Sequence, residues 1–261
     1  MKTIELFEIP IHPLNLEEAL SFLYDSAKKK QTCFCITPNP EIMLHALKDP
    51  LYKKILQSAQ LSVPDGTGLL WATGFLRNPA SFRLLRLLFP WTGTGNSPLR
   101  ERVTGTDLMK EMIVRYPDFR YFLLGASPEV NQKLALELQR KGVRIVGNLS
   151  GSPQKMNDEE LQMIINAAQP EVLFVAFGAP QQEEWIARNL PSLPTVSVAM
   201  GVGGAFDFLS GEKKRSPLLL QRMGLEWLYR LWKEPGRWKR IFRATIVFPW
   251  KILTSRKNPL G

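Results

Sequence analysis

The chain has 261 residues, 44% of them hydrophobic and 22% charged, with two cysteines and a formal net charge of +10. That balance belongs to an ordinary globular protein with room for one large α/β domain, or a domain plus an extension, and excludes a disulfide-stapled scaffold. The acid-bearing start at residues 1–8 is not expected to be a signal peptide. No uncharged apolar run reaches the roughly 18–20 residues that span a bilayer, so a soluble or peripheral protein is expected.

A β-like start at residues 3–7 leads to Asn15, which can cap a helix predicted over residues 16–29 with Glu17 and Glu18 in its first turn. A buried strand over 33–37 follows and ends in Pro38-Asn39-Pro40-Glu41. Cys33 and Cys35 are assigned to opposite faces of that strand, so neither a disulfide nor a two-ligand metal clip is expected, as suits a reducing cytoplasm. His12 and His45 are too far apart to suggest a metal site. Helical patterns then run to Gln60, and Leu61-Ser62-Val63 reads as a strand stopped by Pro64, which cannot donate to a ladder. Asp65-Gly66-Thr67-Gly68 opens a short helix to about Gly74, and the two glycines are expected to let the backbone approach a bound group.

From 75 to 100 the character changes: Phe82, Leu84, Leu85, Leu87, Leu88, Phe89 and Trp91 mix with Arg77, Arg83, Arg86 and Arg100. This reads either as an inserted helix packed on the body or as a segment for an anionic membrane surface. Beyond Arg102-Val103-Thr104-Gly105-Thr106-Asp107 the alternation resumes. Strands are predicted at 121–125, 143–146, 172–177 and 195–199, and helices up to about 115 and over 128–141 and 158–168, with Ser127 and Asn157 as caps. The last two strands run into Gly178-Ala179-Pro180-Gln181-Gln182-Glu183 and Gly201-Val202-Gly203-Gly204. The fold class predicted is α/β, a Rossmann-like, mostly parallel sheet with helices on both faces, over residues 1–211.

Residues 212–261 form a helical, aromatic-rich appendage divided by Pro235 and Pro249. It holds thirteen Lys/Arg against three acids, while the rest of the chain carries 21 of each sign. A neutral body with a basic tail implies an anionic partner for the tail.

Four strand ends converge in such a sheet, at Thr37/Asn39, Asp65, Gly178/Gln182 and Gly201/Gly203/Gly204, where backbone N–H groups suit phosphate. No dinucleotide or phosphate-loop fingerprint is present. Asp65 is the carboxylate best placed for a general base, such as one that takes the proton of a sugar hydroxyl attacking an activated anomeric carbon. A nucleotide diphosphate leaving group needs its charge met by a metal or by Arg/Lys. With no Asp-x-Asp pair, the tail arginines are the expected source.

Together, Thr37-Pro38-Asn39-Pro40-Glu41, Pro64-Asp65-Gly66-Thr67-Gly68, Arg102-Val103-Thr104-Gly105-Thr106-Asp107-Leu108, Phe177-Gly178-Ala179-Pro180-Gln181-Gln182-Glu183, Gly201-Val202-Gly203-Gly204-Ala205-Phe206-Asp207-Phe208 and Gly224-Leu225-Glu226-Trp227-Leu228-Tyr229-Arg230-Leu231 resemble, in this order, the WecG/TagA/CpsF glycosyltransferases of bacterial surface-polysaccharide and teichoic acid synthesis. The resemblance implies an inverting transfer of N-acetylmannosamine or a related hexose from a UDP-sugar to an undecaprenyl-diphosphate-linked sugar, with no metal or other cofactor required. It implies Asp65 as general base and Thr37, Asn39, Arg102 and Gln182 in the pocket. Arg230, Arg237 and Arg240 then reach the diphosphate from an appendage that docks on the cytoplasmic face of the membrane and whose loss favours self-association. The segment 75–100 is longer than the family usually has. Two alternatives stay open on the residues alone: a nucleic-acid binder using the basic tail, and a dinucleotide-dependent oxidoreductase lacking its usual glycine turn.

Overall fold

The computed structural model describes residues 2–77, 97–154, 157–217, 220, 225–255 and 259–260. Most of the segment expected at 75–100 therefore lies outside the described residues. The chain opens with an antiparallel hairpin, β1 (Ile4–Leu6) and β2 (Ile9–Ile11), joined by Phe7 and Glu8 with φ of 55° and 65°. Two left-handed residues in a row give the turn twist that a two-residue hairpin needs.

Six strands then form one all-parallel sheet: β3 (Cys33–Ile36), β4 (Leu61–Ser62), β5 (Tyr121–Gly125), β6 (Ile145–Leu149), β7 (Val172–Ala176) and β8 (Val198–Gly201), in the order β4-β3-β8-β7-β5-β6. Their period of two sorts the core. Phe34, Ile36, Phe122, Leu124, Leu173 and Val175 point to one face, and Cys33, Cys35, Tyr121, Leu123, Val172 and Phe174 to the other. The first face is covered by α2 (Pro40–Ala46), α3 (Pro50–Gln57), α4 (Thr67–Arg77), α7 (Asp158–Ala168) and α8 (Gln181–Asn189). The second is covered by α1 (Leu16–Lys29), α5 (Gly105–Arg115), α6 (Pro128–Arg140) and α9 (Ala205–Leu209). Helices on both faces of a parallel sheet make this the expected Rossmann-like α/β fold.

The assignment of the two cysteines to opposite faces is corrected here. Residues two apart on a strand share a face, and both are buried free thiols in the same half of the core. Burial pushes the Cys33 thiol up to about 12 and Cys35 well above its ordinary value.

Local signals set several boundaries. Asn15 Oδ1 accepts from Glu18 N at 2.8 Å while Asn15 N donates to Glu18 Oε2 at 3.0 Å, a reciprocal cap that starts α1. Two strands begin later than predicted, because Val143 N donates to Leu138 O and Val196 N to Leu193 O. Those apolar residues close the turns before the strands instead of opening the strands.

The tail runs as α10 (Glu226–Lys233), a 3-10 turn at Pro235–Arg237, α11 (Trp238–Phe242), a π-helical turn at Arg243–Val247 and α12 (Phe248–Thr254). It returns to the body. Phe248 and Ile252 are buried against the α2/α4 side, and Phe7 N donates to Pro259 O at 2.7 Å. No helix among the described residues is long and apolar enough to cross a membrane.

Candidate active site

At the carboxyl ends of β3 and β4, three loops are laced together by main-chain hydrogen bonds. Asp65 N donates to Pro38 O at 2.8 Å and Val103 N to Pro64 O at 2.9 Å, which fixes the Asn39, Asp65 and Arg102 segments relative to one another. Gly66 takes φ of 104°, a conformation that favours glycine. Gly68 serves packing, not a ligand: a Cβ there would stand 2.6 Å from Pro40 Cγ, so the glycine lets α4 start against α2.

These loops form one side of a pocket of about 230 Å³, and the tail forms the other. Asp65 lies in it with Asn39, Arg102, Arg230, Arg237 and Arg240, six residues that the sequence singled out. Asn39 also caps α2, its Oδ1 accepting from Glu41 N and Ile42 N at 3.0 Å each. The carboxylate of Asp65 makes no hydrogen bond among the described residues. Burial pushes it up from its ordinary value of 3.8 to about 6, and Arg102, Arg230 and Arg215 oppose that rise. A carboxyl half-buried beside cations yet free of partners is suited to taking a proton near neutral pH.

The arginines are held by carboxylates. Arg102 Nη1 donates to Glu226 Oε2 at 3.0 Å and Arg230 Nη2 to Glu226 Oε1 at 2.6 Å, so one buried carboxylate joins the body to the tail. Burial pushes the Glu226 carboxyl up, but Arg230 and Arg102 outweigh this and hold it below its usual range. Arg240 Nε donates to Glu41 at 2.8 and 2.9 Å, and Arg237 pairs with Glu234. Arg215, which the sequence reading counted but did not choose, also lines the pocket. It forks onto Asp107, which in turn accepts from Thr104 Oγ1 at 2.7 Å. Five arginines and three carboxylates (Glu41, Asp65, Glu226) line the pocket, and Asp107 and Glu234 pair with Arg215 and Arg237, so it is the gathering of guanidinium forks, not a net charge, that suits a polyanion.

The remaining predicted residues are not part of the lining. Thr37 is buried, close to where a Gly105 side chain would be. Gln182 is 4% exposed, and its Oε1 accepts from Gly178 N at 3.1 Å and Gly203 N at 2.9 Å, while its Nε2 donates to Glu183 Oε1 at 2.7 Å. The backbone N–H groups expected at Gly178 and Gly203 for phosphate are thus already taken. Gln182 ties the β7 and β8 strand ends together, and Gly204 is exposed at the start of α9. Glu183, buried and accepting from Tyr52 Oη at 3.1 Å, is pushed by burial to about 7.

One group that sequence reasoning did not raise stands away from the pocket: His45, Asp49 and Glu184 offer ligand atoms within 4.8 Å of one another. They come from α2, the start of α3 and α8, a proximity that only the fold creates. His12 proves to be a packing residue, buried and accepting from Ser62 N at 3.1 Å.

The family model described as "Glycosyl transferase WecG/TagA/CpsF family" matches residues 4–260. Among similar proteins is an N-acetylglucosaminyldiphosphoundecaprenol N-acetyl-beta-D-mannosaminyltransferase of Bacillus spizizenii, 32% identical over 212 residues, which cover 80% of this chain and 74% of the relative. A protein of the same name from Staphylococcus aureus strain MRSA252 is 32% identical over 230 residues, 86% of this chain and 81% of the relative. With a family model spanning nearly every residue, and with four of the six ordered motifs contributing residues to one arginine-lined pocket, the chain belongs to the WecG/TagA/CpsF family of glycosyltransferases.

Proposed function

We propose that the chain transfers N-acetylmannosamine, or a closely related hexose, from a UDP-sugar to N-acetylglucosamine carried on undecaprenyl diphosphate, with inversion. The acceptor class comes from the relatives' names. The donor rests on the pocket: Asp65, the one lining carboxylate without an ion pair among the described residues, stands with five arginines, four of them from the tail. Asp65 takes the proton of the acceptor hydroxyl as that oxygen bonds to the anomeric carbon, and the bond from that carbon to the diphosphate breaks. The departing UDP carries the negative charge, which Arg102, Arg230, Arg237 and Arg240 meet by exchanging their carboxylate partners for phosphate oxygens. This assigns charge neutralisation to guanidinium groups, with no metal required. Stereochemical inversion follows from a single displacement.

The same reading places the enzyme at the inner face of the membrane. Trp238, Phe242, Ile246, Trp250 and Leu253 recur at helical spacing along the tail and are 40–64% exposed, with Lys239, Arg243 and Lys251 among them. The rival reading of the basic tail as a nucleic-acid grip has less support, because Arg230, Arg237 and Arg240 turn into the pocket beside Asp65. Off the membrane, the apolar stripe offers a surface for self-association.

The test is a panel of UDP-sugars with a short-chain lipid-diphosphate N-acetylglucosamine acceptor, reading UDP release with and without EDTA. Release with UDP-N-acetylmannosamine that survives EDTA supports the reading. No release from any UDP-sugar removes the donor assignment, and loss on chelation removes the metal-free mechanism.

A further inference from the structure

The pocket around Asp65 is small for the work assigned to it. At about 230 Å³ it falls below the roughly 300–1,000 Å³ of sites that enclose a whole small ligand. A transferase must hold two. Beside it lies a second cavity of about 570 Å³, and Glu41, which accepts from Arg240, lines both.

Apart from Glu41, His45 and Tyr52, the walls of this second cavity have two chemistries. Ile42, Leu44, Pro180 and Val247 are apolar, while Lys48, Arg243 and Lys251 are cationic. Among the described residues, none of those three cations makes an ion pair, whereas the pocket's arginines are all engaged by carboxylates. Single unpaired lysines are ordinary on a surface. Here three cations from separate places in the chain (the turn after α2, the π turn and α12) share one concave space with apolar walls. Arg243, Val247 and Lys251 are spaced four apart, so they occupy one side of the tail helix. That wall is fixed, because Phe248 and Ile252 beside it are buried in the core. Phe242, Ile246, Trp250 and Leu253 of the same stretch remain exposed. The cavity thus adjoins both the catalytic pocket and the apolar stripe.

We propose that this cavity binds the diphosphate and the first isoprenoid units of the lipid-linked acceptor. Lys48, Arg243 and Lys251 meet the phosphates, and Ile42, Leu44 and Val247 flank the chain. The assignment rests on the acceptor class given above. Charge complementarity favours a diphosphate over a neutral lipid, and the join at Glu41 and Arg240 lets the attached sugar reach Asp65.

The experiment compares wild type with Lys48→Glu and with the double variant Arg243→Glu/Lys251→Glu. All three side chains are exposed, so folding should be retained and is verified by thermal melting. The expected result is a KM for the short-chain acceptor raised at least tenfold, with the KM for UDP-sugar and the affinity for UDP unchanged within twofold. Binding of farnesyl diphosphate, a probe that needs no donor and no turnover, should weaken at least tenfold in the double variant. That arm tests the cavity even if the donor assignment fails. Unchanged farnesyl diphosphate binding overturns the proposal. So does a variant that loses phosphatidylglycerol vesicles but keeps the acceptor KM, an outcome that reassigns the cations to bulk headgroups.

Discussion

Replacing Asp65 with Asn keeps the size of the side chain and removes its charge and basicity. A positioned general base contributes about 10²–10⁴ in rate, so turnover should fall by at least about a hundredfold while UDP affinity stays near wild type. The wild-type pH profile should carry an acidic limb near 6, with roughly a tenth of the plateau rate remaining one pH unit below it, because only the ionised carboxylate accepts a proton. Arg102 and Arg230 oppose the rise, so Arg102→Gln should move that limb upward. Stability supplies an independent reading. A carboxyl raised from 3.8 to about 6 binds protons more tightly in the folded chain, so stability declines as pH rises through that window. Above it the ionised group costs on the order of 3 kcal/mol at most. Asp65→Asn should therefore melt higher than wild type at pH 8 and equally below pH 3.8, and stay at least about a hundredfold slower at the plateau pH. Activity kept within a few-fold, or an inactive variant that also melts lower at pH 8, would refute the assignment of Asp65 as a half-buried base.

Three further outcomes follow from the described contacts. Arg237→Ala and Arg240→Ala should each weaken UDP binding about tenfold in titration calorimetry, the loss of one charge-assisted contact, and an unchanged affinity would remove that arginine from the diphosphate. Gln182→Ala strands two part-buried N–H groups, at Gly178 and Gly203, and should cost about 1–3 kcal/mol, seen as a melting point lower by roughly 2–10 °C. Glu226→Gln should loosen the tail, read as faster hydrogen exchange over residues 226–233. Because the Glu226 carboxyl is held below its ordinary value, its contribution is present above 4.5 and lost as pH falls through the lower folded value, so wild-type exchange should approach the variant's in acid.

Much of this site was legible because it rests on local rules. Pro64 ends a strand, Asp65 follows, and Asn39 precedes a proline that starts a helix, so the carboxylate and the cap had to stand at strand ends. The caps at Asn15, Ser127 and Asn157 were equally local. What escaped depended on the third dimension. Gln182 sits in a strand-to-helix turn like a ligand-binding residue, yet two neighbouring strand ends close over it. Arg215 is one of thirteen cations in the tail, and only the fold brings Asp107 to it. Glu226 is an acid in a basic tail, an anomaly that could have drawn notice. The hairpin turn at Phe7 and Glu8 was hidden because neither residue is a usual bearer of positive φ.

The tail's return to the body has a practical outcome for anyone shortening this protein. Cutting before Phe248 would strip two side chains from the interior and uncover the greasy flank of α2 and α4 that they plug. Such a fragment would carry a sticky scar and look oligomeric for reasons unrelated to how the intact enzyme behaves. Its stoichiometry should be checked against the uncut chain with its outward tryptophans, Trp238 and Trp250, made polar and the plug left in place.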